Sequence, residues 1–273
     1  MICKTYQIRV EGSGDRANLT TYLISPSEEI AVKKRPLILI CPGGGYCFVS
    51  DREAEMFAVQ WNAYGYHAAV LRYSVAPDAV YPTALLELAK AMQMVKENAE
   101  EWGVEPAKVI VEGSSAGGHL AASLGMFWNK PFLGEALGVD SKVLRPAGMI
   151  LNYPVISSGT YAHDDSFRNL LGDQYEELKD EMSLENQVSA DTPSTFIWHT
   201  NEDGLVPAEN SLLLALAMRK HNIPVELHLY AKGAHGLAFA DERTMDRDGG
   251  AIENECQSWI ELAYRWIKEV ILK

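Results

Sequence analysis

Along this chain the spacing of apolar residues switches repeatedly between two periods. Short apolar runs rich in β-branched residues, at Leu37 to Cys41, His67 to Tyr73, Val109 to Glu112, Gly148 to Asn152 and Thr195 to His199, read as buried strands. Between them, apolar positions three and four apart predict helices over Glu53 to Tyr64, Pro82 to Trp102, Ala116 to Phe127 and Pro207 to His221. Pro82 and Pro207 are expected in first helical turns, where a missing N–H is not needed. Paired apolar residues from Trp259 and Ile260 to Val270 and Ile271 predict a closing amphipathic helix. Strands alternating with helices in this way predict an α/β fold, a mainly parallel central sheet covered by helices on both faces.

Three stretches depart from that rhythm. Tyr6 to Val10 and Leu19 to Ile24 alternate apolar with polar around Gly12-Ser13-Gly14-Asp15, as an antiparallel edge hairpin would. Val225, Leu227 and Leu229 alternate with Glu226 and His228, as in a strand with one buried face. Residues 155–193 offer no comparable strand and are rich in acids, among them Asp164, Asp165, Asp173, Glu176 and Glu177. They read as a small cap inserted into one domain spanning residues 1–273. No repeat, low-complexity tract or linker marks a second domain.

Composition narrows the function classes. Of the 273 residues 47% are hydrophobic and 22% charged, which excludes disordered, collagen-like and disulfide-stapled chains. Lys and Arg total 24 against 37 Asp and Glu, and a net charge of −13 repels phosphate backbones and anionic membranes. Neither nucleic acid nor membrane is therefore an expected partner. The first residues show no basic stretch leading into an apolar run, and no window of about 18 apolar residues occurs, so a cytoplasmic protein is expected. Cys3, Cys41, Cys47 and Cys256 carry no CxxC spacing and read as free thiols in a reducing compartment. The sequence calls for no metal and no cofactor, and a homo-oligomer is compatible with it.

The strongest chemical signal is Gly113-Ser114-Ser115-Ala116-Gly117, set between an apolar strand and a helical run. A Gly-x-Ser-x-Gly in that context is a nucleophile elbow, and it needs glycines because side chains two residues away would collide with the neighbouring strand and helix. Ser115 needs a base, and in the α/β-hydrolase order an acid and then a histidine follow the serine. Among seven histidines His235, in Gly-Ala-His-Gly after the last strand, meets that order. His119, one turn behind the elbow, suits packing or hydrogen bonding, His199 suits a satisfied core position, and His67, His221 and His228 suit element edges. Both Glu202 and Asp203 follow the strand Thr195 to His199; Asp203, opening Asp-x-x-Val-Pro, is preferred and Glu202 is its rival. For the oxyanion, Pro42-Gly43-Gly44-Gly45-Tyr46 after Leu37 to Cys41 supplies Gly43 or Gly44, together with the N–H of Ala116. No Lys-Ser or Lys-Thr follows these glycines, which removes the phosphate-loop alternative. Tyr46 is a candidate wall of the acyl pocket and His163 a candidate sugar contact, whereas Arg52 and Glu53, just after the glycine loop, could border the site but read better as solvated charges at a helix start.

The elbow GSSAGGHLAAS, the loop CPGGGY, the stretch LRYSVAPDAVYP and the pair NEDGLVP and GAHGLA together resemble bacterial α/β-hydrolase esterases of the acetyl esterase and acetylxylan esterase type, including sequences labelled sugar hydrolases. The likeness runs from about residue 19 to the C-terminus. It implies Ser115, Asp203 and His235 as a triad and Gly44 with Ala116 as the oxyanion hole. LRYSVAPDAVYP is similar to the Tyr-Arg-Leu-Ala-Pro-Glu stretch of hormone-sensitive-lipase-like esterases, but Ser74 stands for the arginine and Pro42 for the His of His-Gly-Gly-Gly. These departures favour the carbohydrate-esterase branch. The expected substrate is a small ester, an acylated sugar foremost. A lipase-like short-chain carboxylesterase, a prolyl-oligopeptidase-like triad that cleaves peptides and a non-catalytic α/β binding protein are the competing readings.

Overall fold

Alternate residues of the apolar runs feed two separate cores. In the computed structural model, which describes residues 1–273, Leu37 and Leu39 point into one core and Ile38 and Ile40 into the other. Val109 and Val111 are likewise split from Ile110, and Ile197 from Phe196 and Trp198. A strand buried on both faces follows from this, and the sheet it implies must be covered twice. The strands are β1 (Ile2–Gln7), β2 (Asn18–Leu23), β3 (Arg35–Cys41), β4 (His67–Arg72), β5 (Val104–Ser114), β6 (Met149–Asn152), β7 (Thr195–Thr200) and β8 (Val225–Tyr230), in the spatial order β1-β2-β4-β3-β5-β6-β7-β8. β1 and β2 run antiparallel to their neighbours, and β4 through β8 pair in parallel.

The helices are α1 (Glu55–Ala63), α2 (Thr83–Glu97), α3 (Ala99–Trp102), α4 (Ala116–Phe127), α5 (Pro131–Leu137), α6 (Asp164–Leu171), α7 (Tyr175–Leu178), α8 (Glu209–Lys220) and α9 (Trp259–Trp266). α1 and α9 cover one face of the sheet, and α2, α4 and α8 the other. Every residue of α4 is buried, so this helix has no solvent face and is held all round. The turn Ile267–Ile271 after α9 is π-helical.

Four expectations need correcting. The hairpin pairs Ile2 with Leu23 and Gln7 with Asn18, so its first strand lies before Ile8 rather than over Tyr6 to Val10. The residues that follow are drawn away from the ladder. Ser13 accepts from the Val10 N–H and donates to Glu87, and the Gly14 N–H donates to Ser74 Oγ. The helix expected over Pro82 to Trp102 breaks at Asn98, whose amide bonds back to the Met94 carbonyl and caps α2. Pro82 and Pro207 stand just outside their helices, not within the first turn. β8 is half-buried along most of its length instead of presenting one buried face.

Residues 155–193 connect β6 to β7 and contain α6, α7 and short 3₁₀ turns. Because β3 through β8 are parallel, the loops after β3, β5, β7 and β8 all leave from one edge of the sheet, the edge where open α/β sheets assemble sites.

Candidate active site

Ser115 occupies the tight turn between β5 and α4 with φ +53° and ψ −121°, a conformation that costs a non-glycine residue about 1–3 kcal/mol. The neighbours fix it there. A Cβ on Gly113 would lie 2.0 Å from the Gly117 carbonyl oxygen, and one on Gly117 would lie 2.1 Å from that of Cys41. The Ser115 N–H donates to the Asn152 carbonyl (2.9 Å), which locks the turn to the end of β6.

His235 and Asp203 converge on this serine. His235 Nδ1 lies 2.6 Å from Asp203 Oδ2, and His235 Nε2 lies 2.8 Å from Ser115 Oγ. An ionised carboxylate only accepts, so Nδ1 carries the proton and Nε2 is left to accept from the serine hydroxyl. Asp203 is fully engaged: Oδ1 accepts from the N–H groups of Leu205 (3.0 Å) and Val206 (2.9 Å), the turn of the Asp-x-x-Val-Pro sequence. Burial alone would raise its carboxyl, but hydrogen bonds from His199 and His235 and the charge of His235 hold it well below the ordinary carboxylate range. Glu202 is turned away, exposed, with Oε2 3.4 Å from the Gly233 N–H.

His199 is a buried, satisfied histidine, and its partner is the acid itself. Its Nε2 lies 3.2 Å from Asp203 Oδ2 and 3.0 Å from the Val206 carbonyl, and its Nδ1 lies 2.7 Å from Ser211 Oγ. Two acceptors at Nε2 place the proton there and make Nδ1 the acceptor of the Ser211 hydroxyl. Two imidazoles thus share one carboxylate oxygen. No sequence pattern signals this, because His199 and Asp203 are four apart across a strand end rather than on one helix face.

The glycine loop departs from expectation at Gly43, and its surroundings depart at Glu53 and Arg52. The Gly43 N–H donates to Glu53 Oε2 (2.8 Å), so it is not available to an oxyanion. Gly44 and Ala116 donate to no protein acceptor, and Gly44 lines the cleft over Ser115 while Ala116 opens α4 directly behind it. Glu53, expected in solvent, is 4% exposed, and its second oxygen accepts from the Tyr153 hydroxyl (2.6 Å). Burial and the Glu53 charge push the Tyr153 phenol well above its ordinary value, which keeps it a donor. That hydroxyl in turn accepts from the Ala238 N–H (3.0 Å), and the Tyr153 ring stands edge-on to His235. Glu53 and Tyr153 therefore tie the oxyanion loop to the histidine loop. Arg52 adds a second tie, with Nη1 donating to the Gly236 carbonyl (2.9 Å) and Nε to that of Thr244 (2.7 Å). Their place after the glycine loop allowed both to border the site, but an Arg-Glu pair at a helix start carries no burial signal, and the solvated reading is the one the structure replaces.

Tyr46 also departs from its expected role. It is buried at 3% exposure and donates to His119 Nδ1 (2.9 Å), whose Nε2 donates to the Met182 carbonyl (2.9 Å). Positive φ values at Gly45 and Tyr46 curl the loop so that the ring enters the core beneath the cleft. Burial lowers the His119 imidazole to about 4, consistent with a neutral acceptor. His163 does line the cleft, half-buried, with Nδ1 2.8 Å from Ser166 Oγ. Its imidazole is lowered by burial and by the nearby charge of His235. The cleft measures about 590 Å³, and α6 supplies Asp165, Arg168 and Asn169 to its wall. Asn169 Nδ2 donates to the Gly45 carbonyl (2.8 Å) and seats α6 against the glycine loop.

With this geometry in place, likeness to known proteins is informative. Endo-1,4-beta-xylanase B of Butyrivibrio fibrisolvens is 37% identical over 218 residues, 77% of this chain and 33% of that protein. Acetylxylan esterase of Xylanibacter ruminicola is 32% identical over 206 residues, 72% of this chain and 40% of that protein. The chain thus spans about a third to two fifths of the length of these curated relatives. The crystal structure of an acetyl ester-xyloside bifunctional hydrolase from Caldicellulosiruptor lactoaceticus superposes with a TM-score of 0.80 at 34% identity, covering 93% of this chain and 88% of that one. The sheet order, the elbow after β5 and these superpositions establish the α/β-hydrolase fold. The BD-FAE family model matches residues 24–218, from the end of the hairpin to α8, and the chain belongs to that family.

Proposed function

We propose that this protein is a serine carboxylesterase that removes a short acyl group, acetyl foremost, from a sugar alcohol through an acyl-enzyme on Ser115. The observation that carries the reading is the relay from Asp203 to His235 to Ser115, at 2.6 and 2.8 Å, beside two unengaged backbone N–H groups. His235 Nε2 takes the Ser115 proton as Oγ attacks the ester carbonyl, and the tetrahedral oxyanion rests on the N–H groups of Gly44 and Ala116. Asp203 stabilises the imidazolium so formed. The carbonyl re-forms as the alcohol leaves with the proton from His235. Water, activated by the same imidazole, then releases the acid and restores Ser115.

The polar cleft wall supports a hydroxylated alcohol. His163, Asp165, Arg168 and Asn169 present donors and acceptors, and the only large apolar side chains at the cleft, Phe48 and Leu205, are exposed rather than shaped into a slot. A long acyl chain would need a continuous apolar slot, worth about 0.8 kcal/mol per methylene, and His163, Asp165 and Arg168 interrupt such a slot here. The named relatives include an acetylxylan esterase and an acetyl ester-xyloside hydrolase, which supports the same substrate class. A panel of acetyl, butyryl and octanoyl esters, acetylated xylo-oligosaccharides and a peptide anilide tests the reading. Acetyl esters are expected to give the highest kcat/KM; preference for octanoyl esters or for the anilide would replace it.

A further inference from the structure

The cleft over Ser115 does not end at its own wall. A second cavity of about 1000 Å³ adjoins it, and Cys47 and Phe48 line both. Phe48 is 59% exposed although it lies beside the oxyanion loop, where Gly44 holds its backbone by accepting from the Phe48 N–H (3.1 Å). A phenyl ring held out in water at the junction of two cavities is an apolar plate with no protein partner. The larger cavity is otherwise mixed, with Ala17, Val49, Tyr73 and Val75 set among polar side chains. Gln7, Asn18 and Ser74 bring amide and hydroxyl groups, and the side chains of Gln7 and Asp78 make no hydrogen bond within the protein. Its two arginines, Arg16 and Arg72, are matched by two aspartates, Asp15 and Asp78, and Arg72 is already paired with Asp51 (2.6 Å).

These features select a ligand class. A fatty acyl chain would find its apolar wall broken by Asp15, Arg16, Arg72 and Asp78, whose charged groups it would have to desolvate. A strongly charged group would find both signs present in equal number. A neutral chain of pyranose units fits: each ring offers a C–H face to an aromatic plate and hydroxyls that both donate and accept.

We infer that the cavity beyond Phe48 is a second subsite that takes the sugar units flanking the esterified one, with Phe48 as the stacking plate between the two subsites. This rests on the sugar-ester reading above and adds to it a preference for chains over single sugars. Binding energy gathered by remote units can be used at the reacting centre, so the chain should raise kcat/KM rather than merely add contacts.

The test is a chain-length gain: kcat/KM on acetylated xylotetraose divided by kcat/KM on acetylated xylose, taken within each variant so that any loss common to both substrates cancels. The expected gain is about tenfold or more for the unaltered protein. Phe48→Ala should cut it by about five- to tenfold, and the double variant Gln7→Ala, Asp78→Ala, both at exposed positions, should cut it as well. A gain near one in the unaltered protein, with acetylated xylose still hydrolysed, overturns the subsite and leaves the esterase reading intact. A large gain that survives both variants also overturns it, because the chain is then held elsewhere. Hydrolysis of simple acetyl esters without any acetylated sugar removes the sugar-ester reading, and the subsite with it.

Discussion

The two walls of the cleft are built on different principles. On the sheet side, Ser115, Asp203, Glu53 and Asn152 are buried, and the glycines around the elbow have no room for one added carbon. The side-chain polar atoms of these four residues have fixed partners, in chains that run from Asn152 through Glu112 to Trp61 and from Glu53 through Tyr153 to Ala238. On the other side, Asp165 and Arg168 of α6 are exposed, and the helix meets the glycine loop through the bond from Asn169 to Gly45. Under the proposed function, reaction geometry that tolerates little displacement is placed in close-packed strand ends, and alcohol recognition in a wall that can vary. The contrast predicts large losses of turnover from small changes on the first wall and small shifts of KM from changes on the second.

The largest effect tests the first wall at its centre. Ser115→Ala should lower kcat by roughly 10⁶-fold while the fold survives, as when a triad serine is lost. Circular dichroism and turnover together check this, and near-normal turnover would end the proposal. Asp203→Asn should follow at about 10⁴-fold, because the amide favours the wrong imidazole tautomer and leaves two histidines contesting one oxygen. Glu202→Gln, at an exposed side chain directed to Gly233, should change kcat little. The reverse ranking would move the acid to Glu202.

How far this was legible in the sequence follows the same division. The doubly buried strands and the elbow announced themselves because their signals are local, in β-branched runs and in glycines flanking a serine. That Asp203 and His235 would meet at Ser115 was legible through chain order. What stayed hidden depended on where an ordinary residue points after folding. Glu53 looked like a solvated helix-start charge, yet it holds Gly43 and Tyr153. Tyr46 follows the oxyanion glycines, but positive φ turns it inward to His119. The hairpin register is not legible locally because the ladder is limited by Glu87 and Ser74, 74 and 60 residues away from the groups they bind.

A smaller effect sharpens what the buried wall costs. Burial raises the Glu112 carboxyl to about 7, against hydrogen bonds from Asn152 and Trp61 that lower it. The folded chain therefore holds this proton more tightly than the unfolded chain, whose carboxyl titrates near 4.5. That contribution is complete below the unfolded value and is lost as pH rises through about 7. Stability should then fall by a few kcal/mol on going from about pH 5 to 8 through this group alone. Denaturant melts of the unaltered protein and of Glu112→Gln across that range measure it. The gap between them should narrow as pH rises, and a constant gap would place the titration elsewhere. Asp203 acts at the opposite end: its depressed carboxyl contributes stability above the ordinary carboxylate range that is lost on acidification below it.

The same wall carries a change that removes no reacting group. Glu53→Ala leaves the Gly43 N–H and the Tyr153 hydroxyl without their acceptor in a buried place, at about 1–3 kcal/mol per group. Some of that loss is global stability, and some reaches the reaction, because the loops bearing Gly44 and His235 are joined through this carboxylate. Turnover should fall by about 10- to 100-fold on simple and sugar esters alike, since the defect lies in the machinery common to both. A change confined to sugar esters would put Glu53 on the recognition wall instead.

The smallest effect belongs to α6 and puts the contrast at risk from the other side. The Arg168 guanidinium lies 4.4 Å from the centre of the Tyr175 ring, and makes no hydrogen bond to a protein acceptor while lining the cleft. An exposed cation over a ring contributes about 0.5–1 kcal/mol, so its removal costs the fold little. One hydrogen bond from such a group to a substrate hydroxyl adds about 0.5–1.5 kcal/mol. Arg168→Ala should therefore raise KM for acetylated xylo-oligosaccharides by about two- to tenfold, with kcat steady and hydrolysis of a nitrophenyl acetate unchanged. The discriminating quantity is the split between the two constants. If kcat fell by about a hundredfold on both substrates, α6 would belong to the reacting geometry, and the division of the cleft into a rigid chemical wall and a variable recognition wall would be lost.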